Sequence, residues 1–385
     1  MHTALLSANP AQANPYIALL IDGLKDAGVD ASLYSDPGPD GLPAAARSTD
    51  LLHLHWLELW GRPRYISLAD WTRLGFPGRG LRRWIEPAAN SGPIFEQRRR
   101  RFLDRFLASV AAYKANGGRL VYTVHNLGQH EGEASQAEEA GLQRLLELAD
   151  AVHIHADYLR PALQTRLERP ERVRVVTIPH GNYIDWYPNQ VSRREARDRL
   201  DVSGQGMVYL FLGLIRPFKG LDELLPAFRA LPDPQALLWV AGQSRPPDYQ
   251  QRLAQLAAAD KRVRWHAQFV PDDQIQLWMN AADVVVLPYR RTTTSGAAIL
   301  AFSFGKPIIA PALPAFRELM AGAPFLGELY DPAAPDGLQI ALDRARAVDW
   351  QSRRQSILDW ARQFDWRTIG RRFADLYEQV LAGGQ

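Results

Sequence analysis

The sequence contains no cysteine among its 385 residues, which excludes disulfide bonds and thiolate metal sites. It also lacks long apolar runs, because no stretch approaches the roughly 20 apolar residues that a helix needs to span a bilayer. Lysine is scarce, with only Lys25, Lys114, Lys219, Lys261 and Lys306 in the whole chain. Lys219 and Lys306 each stand beside a glycine, and this placement suggests a specific role for both.

Charge and composition narrow the class of protein further. The net charge of +3 is too small to indicate nucleic-acid binding by itself. Hydrophobic residues make up 46% and aromatic residues 10% of the chain, which argues against disorder. The N-terminal segment MHTALLSANP has no basic part leading into an apolar one, so we expect no secretory signal. We therefore expect a cytoplasmic protein that is soluble or bound peripherally to the inner face of the plasma membrane.

Short apolar runs alternate with amphipathic segments along the whole chain, which predicts an α/β fold. Several of the runs are continuously apolar, as in parallel strands that are covered on both faces. The predicted strands are 3–7, 30–35, 51–56, 119–125, 151–156, 174–179, 207–213, 236–242, 262–267, 283–289 and 306–311.

The alternating series restarts near residue 185, after a linker and a short basic helix. At 385 residues two domains are expected in any case. We predict two Rossmann-like, doubly wound domains that face a cleft, an N-terminal one over 1–183 and a C-terminal one over 184–362.

Residues 62–105 interrupt the tidy alternation. They contain eleven arginines against four carboxylates, a net charge of +7, together with several tryptophan, tyrosine and phenylalanine residues. Arginine mixed with aromatic rings suits contact with an anionic membrane surface. A solvated face with a loop packed on its own domain explains the same composition equally well. A single-stranded nucleic-acid groove uses similar residues, but no recognition motif accompanies them.

The segment GLIRPFKG (213–220) follows a buried strand and precedes an amphipathic helix. Gly213 permits a tight turn at the carboxyl end of the strand, and Gly220 permits close approach at the start of the helix. Ligands of open α/β sheets bind outside the carboxyl ends of the strands. A helix N-terminus there, with the guanidinium of Arg216 and the ammonium of Lys219, predicts a diphosphate site.

A second segment, TTTSG (292–296), lies between the buried strand DVVVLPY and a helix that Gly305 closes. Thr294 or Ser295 is expected to cap this helix. Hydroxyl and amide groups bind phosphate and sugar oxygens without adding charge, so we predict that this turn faces the same cleft as Arg216 and Lys219. A plain helix cap is the alternative.

These two segments, about 75 residues apart, resemble the nucleotide-sugar-binding half of GT-B glycosyltransferases of the family 4 type. The family's Gly-x-x-x-x-x-Lys-Gly stretch matches 213–220, and its segment from the base-binding loop to the sugar loop matches 263–289. Three further segments are similar to family features: RLVYTVHNL (119–127), TIPHGNYIDWYPN (177–189) and FDWRTIGRRFADLYEQVL (364–381). The last of these implies a C-terminal helix, within 363–385, that crosses back to the N-terminal domain.

The sequence departs from the family at its Glu-x7-Glu pair, which falls on Thr292 and Leu300. The resemblance therefore does not carry over the identity of the donor sugar or the stereochemical outcome. Motifs and resemblance together predict a donor site formed by Gly213, Arg216, Lys219, Gly242, Phe269, Val270, Tyr289, Thr293, Thr294, Ser295 and Gly296. On the acceptor side we predict Asn9, Asn14, His55, Asn126 and Glu131.

Catalysis requires a neutralised leaving group, and Arg216, Lys219 and the helix that starts near Ser295 are expected to supply it. An inverting reaction also needs a base for the acceptor hydroxyl. The candidates are His125, Glu131, Glu133, Glu58 and Asp157. We predict that His125 is a catalytic residue of the cleft whether the reaction inverts or retains.

Two His-x-His pairs, His53/His55 and His153/His155, raise the question of a metal. Period two places each pair on one face of a strand, but further ligands are not evident, so we expect no metal and no cofactor. The leading hypothesis is a glycosyltransferase that moves a sugar from a GDP- or UDP-sugar to a glycan or lipid-linked acceptor. A nucleotide-sugar 2-epimerase of the same fold and a non-catalytic sugar- or membrane-binding protein are the alternatives.

Overall fold

The structure is a computed structural model that describes residues 1–7, 15–35, 41–57, 92–126, 136–202, 206–244 and 247–383. The chain divides into two compact units. The first unit comprises Met1–His155, Leu159–Ile178 and Gly370–Gln385, and the second comprises Ala156–Tyr158 and Pro179–Ile369.

The first unit is built on a six-stranded parallel sheet with the strand order β2-β1-β3-β4-β5-β6. The strands are β1 (His2–Leu6), β2 (Asp30–Tyr34), β3 (Leu51–His55), β4 (Arg119–Thr123), β5 (Ala151–Ile154) and β6 (Arg174–Thr177). Its helices are α1 (Tyr16–Asp26), α2 (Gly92–Ala115), α3 (Gln136–Leu148) and α4 (Arg160–Gln164), joined by the part of the C-terminal helix that follows Ile369.

The second unit repeats this plan with the strand order β12-β11-β10-β7-β8-β9, again with every pair parallel. Its strands are β7 (Val208–Leu212), β8 (Leu237–Ala241), β9 (Val263–His266), β10 (Val284–Val286), β11 (Ile308–Pro311) and β12 (Gly327–Tyr330). Its helices are α5 (Arg193–Arg199), α6 (Leu221–Arg229), α7 (Pro247–Ala258), α8 (Ile275–Ala281), α9 (Gly296–Ser303), α10 (Pro314–Leu319), α11 (Gly337–Ala345) and α12 (Trp350–Arg362). The C-terminal helix α13 (Trp366–Ala382) begins in this unit.

All eleven strands predicted from the sequence are present, with β1 beginning and ending one residue earlier than predicted and the others shorter than predicted. The central strands are buried on both faces, as in β7, where every residue is buried, whereas the outer strands β2, β6 and β9 are partly exposed. The twelfth strand, β12, was missed because GELY is short and only half apolar. The fold class predicted from the alternation, two doubly wound α/β units, is confirmed.

Strand order locates the place in each sheet where a ligand site is expected. In the second unit β7 lies between β8 and β10. The chain continues from β7 to β8 and β9 on one side of β7, and then crosses to β10, β11 and β12 on the other side. The carboxyl ends of β7 and β10 therefore form the topological switch point, where open α/β sheets bind their ligands. In the first unit β1 and β3 meet in the same way.

Candidate functional site

The turn after β7 is shaped by two glycines with left-handed backbones. Gly213 has φ +142°, and Gly220 has φ +69° just before α6. A Cβ at position 220 would lie 1.9 Å from the carbonyl oxygen of Pro288, so glycine is required there by both conformation and space. Between the glycines, Arg216 precedes a single 3-10 turn that runs from Pro217 to Lys219.

The turn after β10 carries the hydroxyl residues of the TTTSG segment. Ser295 is the N-cap of α9, and its side chain accepts a hydrogen bond of 3.2 Å from the amide of Ala298. The prediction that Thr294 or Ser295 caps this helix is therefore confirmed for Ser295. Gly305 follows the helix with φ +66°, as a C-terminal glycine should.

Arg290 joins the two turns. Its amide donates to the carbonyl of Phe218 at 2.9 Å, and its guanidinium donates to the carbonyl of Pro217 at 2.9 Å. The same guanidinium contacts the carboxylates of Asp222 at 2.9 Å and Glu223 at 2.7 Å, on the first turn of α6. The turn that carries Lys219 is thus held against the end of β10.

This clamp places the ammonium of Lys219 over the ring of Tyr289, 3.8 Å from its centroid. Tyr289 itself is 3% exposed. Among the described residues the Lys219 ammonium has no ion pair and no hydrogen bond, because the acids that follow it are paired with Arg290. Burial lowers the pKa of Lys219 to about 7.

Two further hydroxyls stand out in the second unit. The side-chain oxygens of Ser244 and Thr294 are buried, and neither has a hydrogen-bond partner among the described residues. Ser244 pairs through its backbone with Ile215, on the turn after β7. A buried polar group without a partner needs an explanation, and a ligand is one. Ser244 was missed from the sequence, although its position just beyond β8 and Gly242 could have indicated it.

The other predicted donor residues occupy loops at the carboxyl ends of β8 and β9. Gly242 has φ +143°, and a Cβ there would lie 1.9 Å from the carbonyl oxygen of Gly213, so these two turns are in contact. Phe269 is 67% exposed, whereas the neighbouring Val270 is buried. Gly296 opens α9, and a Cβ there would come within 3.3 Å of the Tyr183 hydroxyl.

Arg216 and Thr293 complete the set. Arg216 is half-buried. The carbonyl of Thr293 accepts a hydrogen bond of 2.7 Å from the hydroxyl of Tyr158, which belongs to the second unit. The structure therefore brings Lys219 and Tyr289 into contact next to Ser295, and it places the remaining donor residues on turns at the same edge of one sheet.

Lys306, the other glycine-flanked lysine, has a different role. Its side chain is buried and donates to the carbonyls of Ala282 at 2.9 Å and Asn280 at 3.4 Å. These carbonyls lie at the end of α8, so Lys306 satisfies groups that the helix leaves open. Burial lowers the pKa of Lys306 to about 7. The suggestion of a ligand-binding role for Lys306 is therefore not supported by its contacts.

In the first unit, His125 lies just beyond β4 and is half-buried. Its ring stacks on Trp56 with 3.8 Å between centroids and 9° between planes, and its Nε2 is 3.0 Å from Nδ1 of His55. Trp56 holds the left-handed φ of +50°, an unfavourable backbone for a bulky residue. Strain of this kind persists where the surroundings fix it, often beside a functional group.

Two further histidines of the first unit, His53 and His153, form a hydrogen-bond chain through Thr123, which we call the histidine relay. His53 Nδ1 is 2.6 Å from the Tyr377 hydroxyl and His53 Nε2 is 2.7 Å from Thr123 Oγ1. Thr123 Oγ1 is 2.9 Å from His153 Nδ1, and His153 Nε2 is 2.8 Å from the carbonyl of Ile178.

The direction of the relay follows from its last member. The Ile178 carbonyl can only accept, so Nε2 of His153 donates, and in a neutral ring Nδ1 then accepts from Thr123. By the same reasoning His53 donates from Nε2 to Thr123 and accepts at Nδ1 from Tyr377. Burial, and to a lesser degree His153, lowers the pKa of His53 well below its usual value, which keeps the ring neutral. The relay is a structural network of the core.

The remaining acceptor-side predictions are only partly placed. Asn9, Asn14 and Glu131 lie outside the described residues, as do the candidate bases Glu58 and Glu133. Asn126 is half-buried and follows His125, His55 is buried beside His125, and Asp157 is exposed. Over the described ranges, no three histidine or acidic residues are grouped so as to hold a metal ion.

The basic segment 62–105 is described only from residue 92 onward, where it forms the first half of α2. Arg99 is buried and pairs with Glu138 of α3 at 3.0 Å. Arg100, Arg101 and Arg105 are exposed. No helix in the part of the chain that the structure describes combines the length and apolarity needed to cross a bilayer.

Two doubly wound parallel sheets make up the GT-B fold, and the chain has this fold. The family match and the similar proteins, and not the fold, show that the chain is a glycosyltransferase of the GT-B type. Residues 206–345, which contain every element of the donor-side turns, match the family Glycosyl transferases group 1.

Similar proteins agree with this class. The chain is 27% identical over 376 residues to a GDP-mannose:glycolipid 4-beta-D-mannosyltransferase of Xanthomonas campestris pv. campestris, covering 96% of this chain and 90% of that protein. It is 26% identical over 285 residues to a D-inositol 3-phosphate glycosyltransferase of Corynebacterium efficiens, covering 68% and 66% respectively. Among solved structures, Anabaena HepE in complex with UDP and glucose superposes with a TM-score of 0.68 at 18% identity, covering 98% of this chain and 100% of that one.

Proposed function

We propose that this glycosyltransferase moves a sugar from a nucleotide diphosphate sugar to a glycolipid or lipid-linked saccharide acceptor, with GDP-mannose as the leading donor. The observation that carries the donor class is the ammonium of Lys219 at the switch point, which no described residue pairs, beside Arg216 and the hydroxyl-rich start of α9. The glycolipid acceptor and the mannose donor rest on the relative from Xanthomonas campestris pv. campestris, which matches nearly the whole chain.

In this proposal the second unit stabilises the leaving group. Negative charge grows on the diphosphate as the glycosidic bond breaks, and Arg216 and Lys219 lie on the turn that would meet it. The start of α9 adds a positive helix end, and the hydroxyl of Thr294, unpartnered among the described residues, adds a hydrogen-bond donor. Groups fixed before the reaction lower the barrier more effectively than mobile solvent does.

The proposal needs no metal cofactor, because the two cations take the part that a divalent ion plays elsewhere in neutralising a diphosphate. We propose that His125 is a catalytic residue contributed by the first unit. Stacking on Trp56 and the contact with His55 fix its ring. Transfer measured in excess EDTA should equal transfer in buffer alone, and restoration of a lost rate by added Mg²⁺ or Mn²⁺ would contradict this part.

Thermal-shift measurements with GDP, UDP, GDP-mannose and UDP-glucose test the donor site. A ligand present at a hundred times its Kd stabilises the folded state by about 2.7 kcal/mol, an easily measured change in Tm. Losing a charge-assisted hydrogen bond costs about 1.5–3 kcal/mol, so Arg216→Ala and Lys219→Ala should each weaken binding about 10- to 100-fold. Arg264→Ala, which removes an exposed cation of β9, is the matched control and should bind normally.

Transfer itself is tested by incubating the best donor with lipid-linked saccharides and measuring both free nucleoside diphosphate and the lengthened lipid by mass spectrometry. The two products should appear in equal amounts. If no nucleotide or nucleotide sugar shifts the Tm, the donor site is wrong. If the donor is converted to its 2-epimer without any acceptor product, the protein is an epimerase instead.

We also propose that the protein works on the inner face of the plasma membrane, with α2 as part of the contact surface. Arg100, Arg101 and Arg105 are exposed on this helix, and Ile94 near its start is 57% exposed. Cations near an anionic surface contribute about 1 kcal/mol each, and a lipid-linked acceptor would be presented there.

Co-sedimentation with vesicles tests this surface. Vesicles of phosphatidylcholine with phosphatidylglycerol should bind the protein, and binding should fall with salt. The double variant Arg100→Glu/Arg101→Glu should lose most of the binding, whereas Arg344→Glu, on the exposed face of α11, should retain it. Equal binding of the double variant and the wild type would exclude α2 from the contact.

A further inference from the structure

The contact between Lys219 and Tyr289 indicates how the unliganded donor site holds a cation. A buried or half-buried ammonium is normally paired with a carboxylate. Here the nearest acids in the sequence, Asp222 and Glu223, are occupied by Arg290 at 2.9 and 2.7 Å. The Lys219 ammonium instead lies 3.8 Å above the centre of the Tyr289 ring and 5.5 Å from that of Phe218.

We propose that Tyr289 is a positioning residue for Lys219: its ring face holds the ammonium in place without a countercharge, and the incoming diphosphate of the donor becomes the first anion that the cation meets. This inference rests on the proposed donor-binding function and adds to it a residue, an orientation and a proton linkage.

The surrounding backbone fixes where the Lys219 side chain starts relative to Tyr289. Gly220 presses against the carbonyl of Pro288, so closely that a Cβ would lie 1.9 Å from it. On the other side of the turn, the Arg290 amide binds the Phe218 carbonyl at 2.9 Å. The Lys219 side chain therefore leaves a turn that is fixed directly above Tyr289, and Tyr289 is itself buried beside the ring of Phe316, 6.0 Å away.

A ring suits this purpose better than a carboxylate. An aromatic face attracts a cation by about 0.5–2 kcal/mol, enough to select a rotamer of a flexible chain. A carboxylate would bind the ammonium more tightly and would have to be displaced by the diphosphate. It would also repel the phosphates at close range. The ring orders the lysine and adds no negative charge that the diphosphate would have to displace.

The same arrangement couples donor binding to protonation of Lys219. With no carboxylate in contact and only burial acting on it, Lys219 has its pKa lowered to about 7. The other charged groups of the two turns and of the first turn of α6 are Arg216, Arg290, Arg291, Asp222 and Glu223, and Arg290 pairs with both acids. A bound diphosphate restores the usual pKa of Lys219, because an opposite charge favours the charged form. Binding near neutral pH should therefore take up a proton.

Isothermal titration calorimetry tests the expected uptake of a proton on donor binding. The probes are GDP-mannose and UDP-glucose, whose diphosphates have no free terminal phosphate and so do not titrate near pH 7. The apparent binding enthalpy should differ between HEPES and Tris at pH 7.5, corresponding to uptake of at least half a proton, about what a group with a pKa near 7 requires. At pH 5.5 the measurement is repeated in MES and acetate, which buffer there, and the enthalpy should not depend on the buffer because Lys219 is already charged.

Variants identify the groups. Lys219→Arg keeps the charge at every pH, so it should bind the donor without taking up a proton. Tyr289→Phe keeps the ring and should bind within about threefold of the wild type, whereas Tyr289→Leu should bind about tenfold more weakly, the fold-change of a lost cation–π contact. A circular-dichroism spectrum of each variant shows whether the fold is intact.

The outcomes are distinct. If wild-type protein binds neither probe nor the free nucleotides, the proposed function fails. If it binds a donor but takes up no proton at pH 7.5, or if Lys219→Arg takes up as much as the wild type, the inference is overturned while the function stands. Equal affinities of folded Tyr289→Leu and Tyr289→Phe would likewise overturn the positioning role of the ring.

Discussion

Replacing Thr123 by Val is the sharpest test of the histidine relay. Thr123 stands in its middle, where its hydroxyl accepts from His53 at 2.7 Å and donates to His153 at 2.9 Å. Valine has nearly the same shape but can do neither. The change leaves one buried N–H and one buried ring nitrogen without partners, at about 1–3 kcal/mol each, so the first unit should lose about 2–6 kcal/mol of unfolding free energy.

The relay also predicts how much stability a second substitution should remove. Tyr377→Phe removes only the hydroxyl that donates to His53, 2.6 Å away, and so leaves one unsatisfied nitrogen instead of two. Its cost should be about half that of Thr123→Val. Thr165→Val is the control, because the Thr165 hydroxyl is exposed and bonds a local carbonyl, and surface changes of this kind stay within about 0.5 kcal/mol.

Hydrogen exchange read by mass spectrometry on the peptides of β3, β4 and β5 is the appropriate assay. A protein of two units need not unfold in one step, whereas exchange reports the opening of these strands alone. Protection should fall most in Thr123→Val, about half as much on the free-energy scale in Tyr377→Phe, and little in Thr165→Val. If Thr123→Val exchanges like the control, or Tyr377→Phe is the more damaging change, the assigned donors and acceptors of the relay are wrong.

Three further predictions follow from the buried groups and turns. The pKa values of His53 and His55 are well below 6.5 in the folded protein, chiefly through burial, so the first unit should lose stability as the pH falls below 6.5. Between pH 6.5 and 5.5 the loss should be about 2 kcal/mol for the two histidines, because the unfolded chain goes from half to almost fully protonated at these residues, and hydrogen exchange at the two pH values measures it. Gly220→Ala, which meets a backbone oxygen at 1.9 Å, should lower the Tm and abolish nucleotide binding, whereas Gly28→Ala, with nothing within 4 Å, should cost only the about 1 kcal/mol of its left-handed backbone. Lys306→Met should lower the Tm by leaving helix carbonyls unsatisfied and yet bind nucleotide with unchanged affinity.

Much of the fold could be predicted from local patterns, because most strands contain a short apolar run that a turn ends. The boundaries were less exact where an apolar run continues beyond its ladder. The run 283–289 was predicted as a strand, but only Val284–Val286 pair. Pro288 lacks the amide that a ladder needs, and Asp283 accepts a hydrogen bond from Arg197 at 2.6 Å, which anchors the start of the strand.

In the candidate site, too, the features formed by residues close in sequence could be predicted, and the contacts between residues distant in sequence could not. The cations and the capping serine could be found, because glycine, cation and hydroxyl stand close together in the sequence. The contact between Lys219 and Tyr289 could not, because it joins residues 70 positions apart and depends on β7 lying beside β10. Tyr377 contacts His53 across 324 positions, so the structural role of the first histidine pair was equally beyond the reach of local patterns.

What separates a functional cation or imidazole from a structural one in this protein is whether the chain itself uses its hydrogen bonds. Lys306 donates its hydrogen bonds to helix carbonyls, and the relay histidines form hydrogen bonds through both ring nitrogens. The pKa of Lys219 is lowered by burial as much as that of Lys306. Over the described residues, however, the Lys219 ammonium has no ion pair and no hydrogen bond and lies over the rings of Tyr289 and Phe218. Equal shifts of the pKa therefore have different meanings for the two lysines. Carbonyl groups of the chain satisfy the hydrogen-bond donors of Lys306, whereas Lys219 has no such partner in the described part of the chain and is available to bind an anion. Variants of the two lysines should show this directly, since only the loss of Lys219 should change donor affinity and only the loss of Lys306 should mainly change stability.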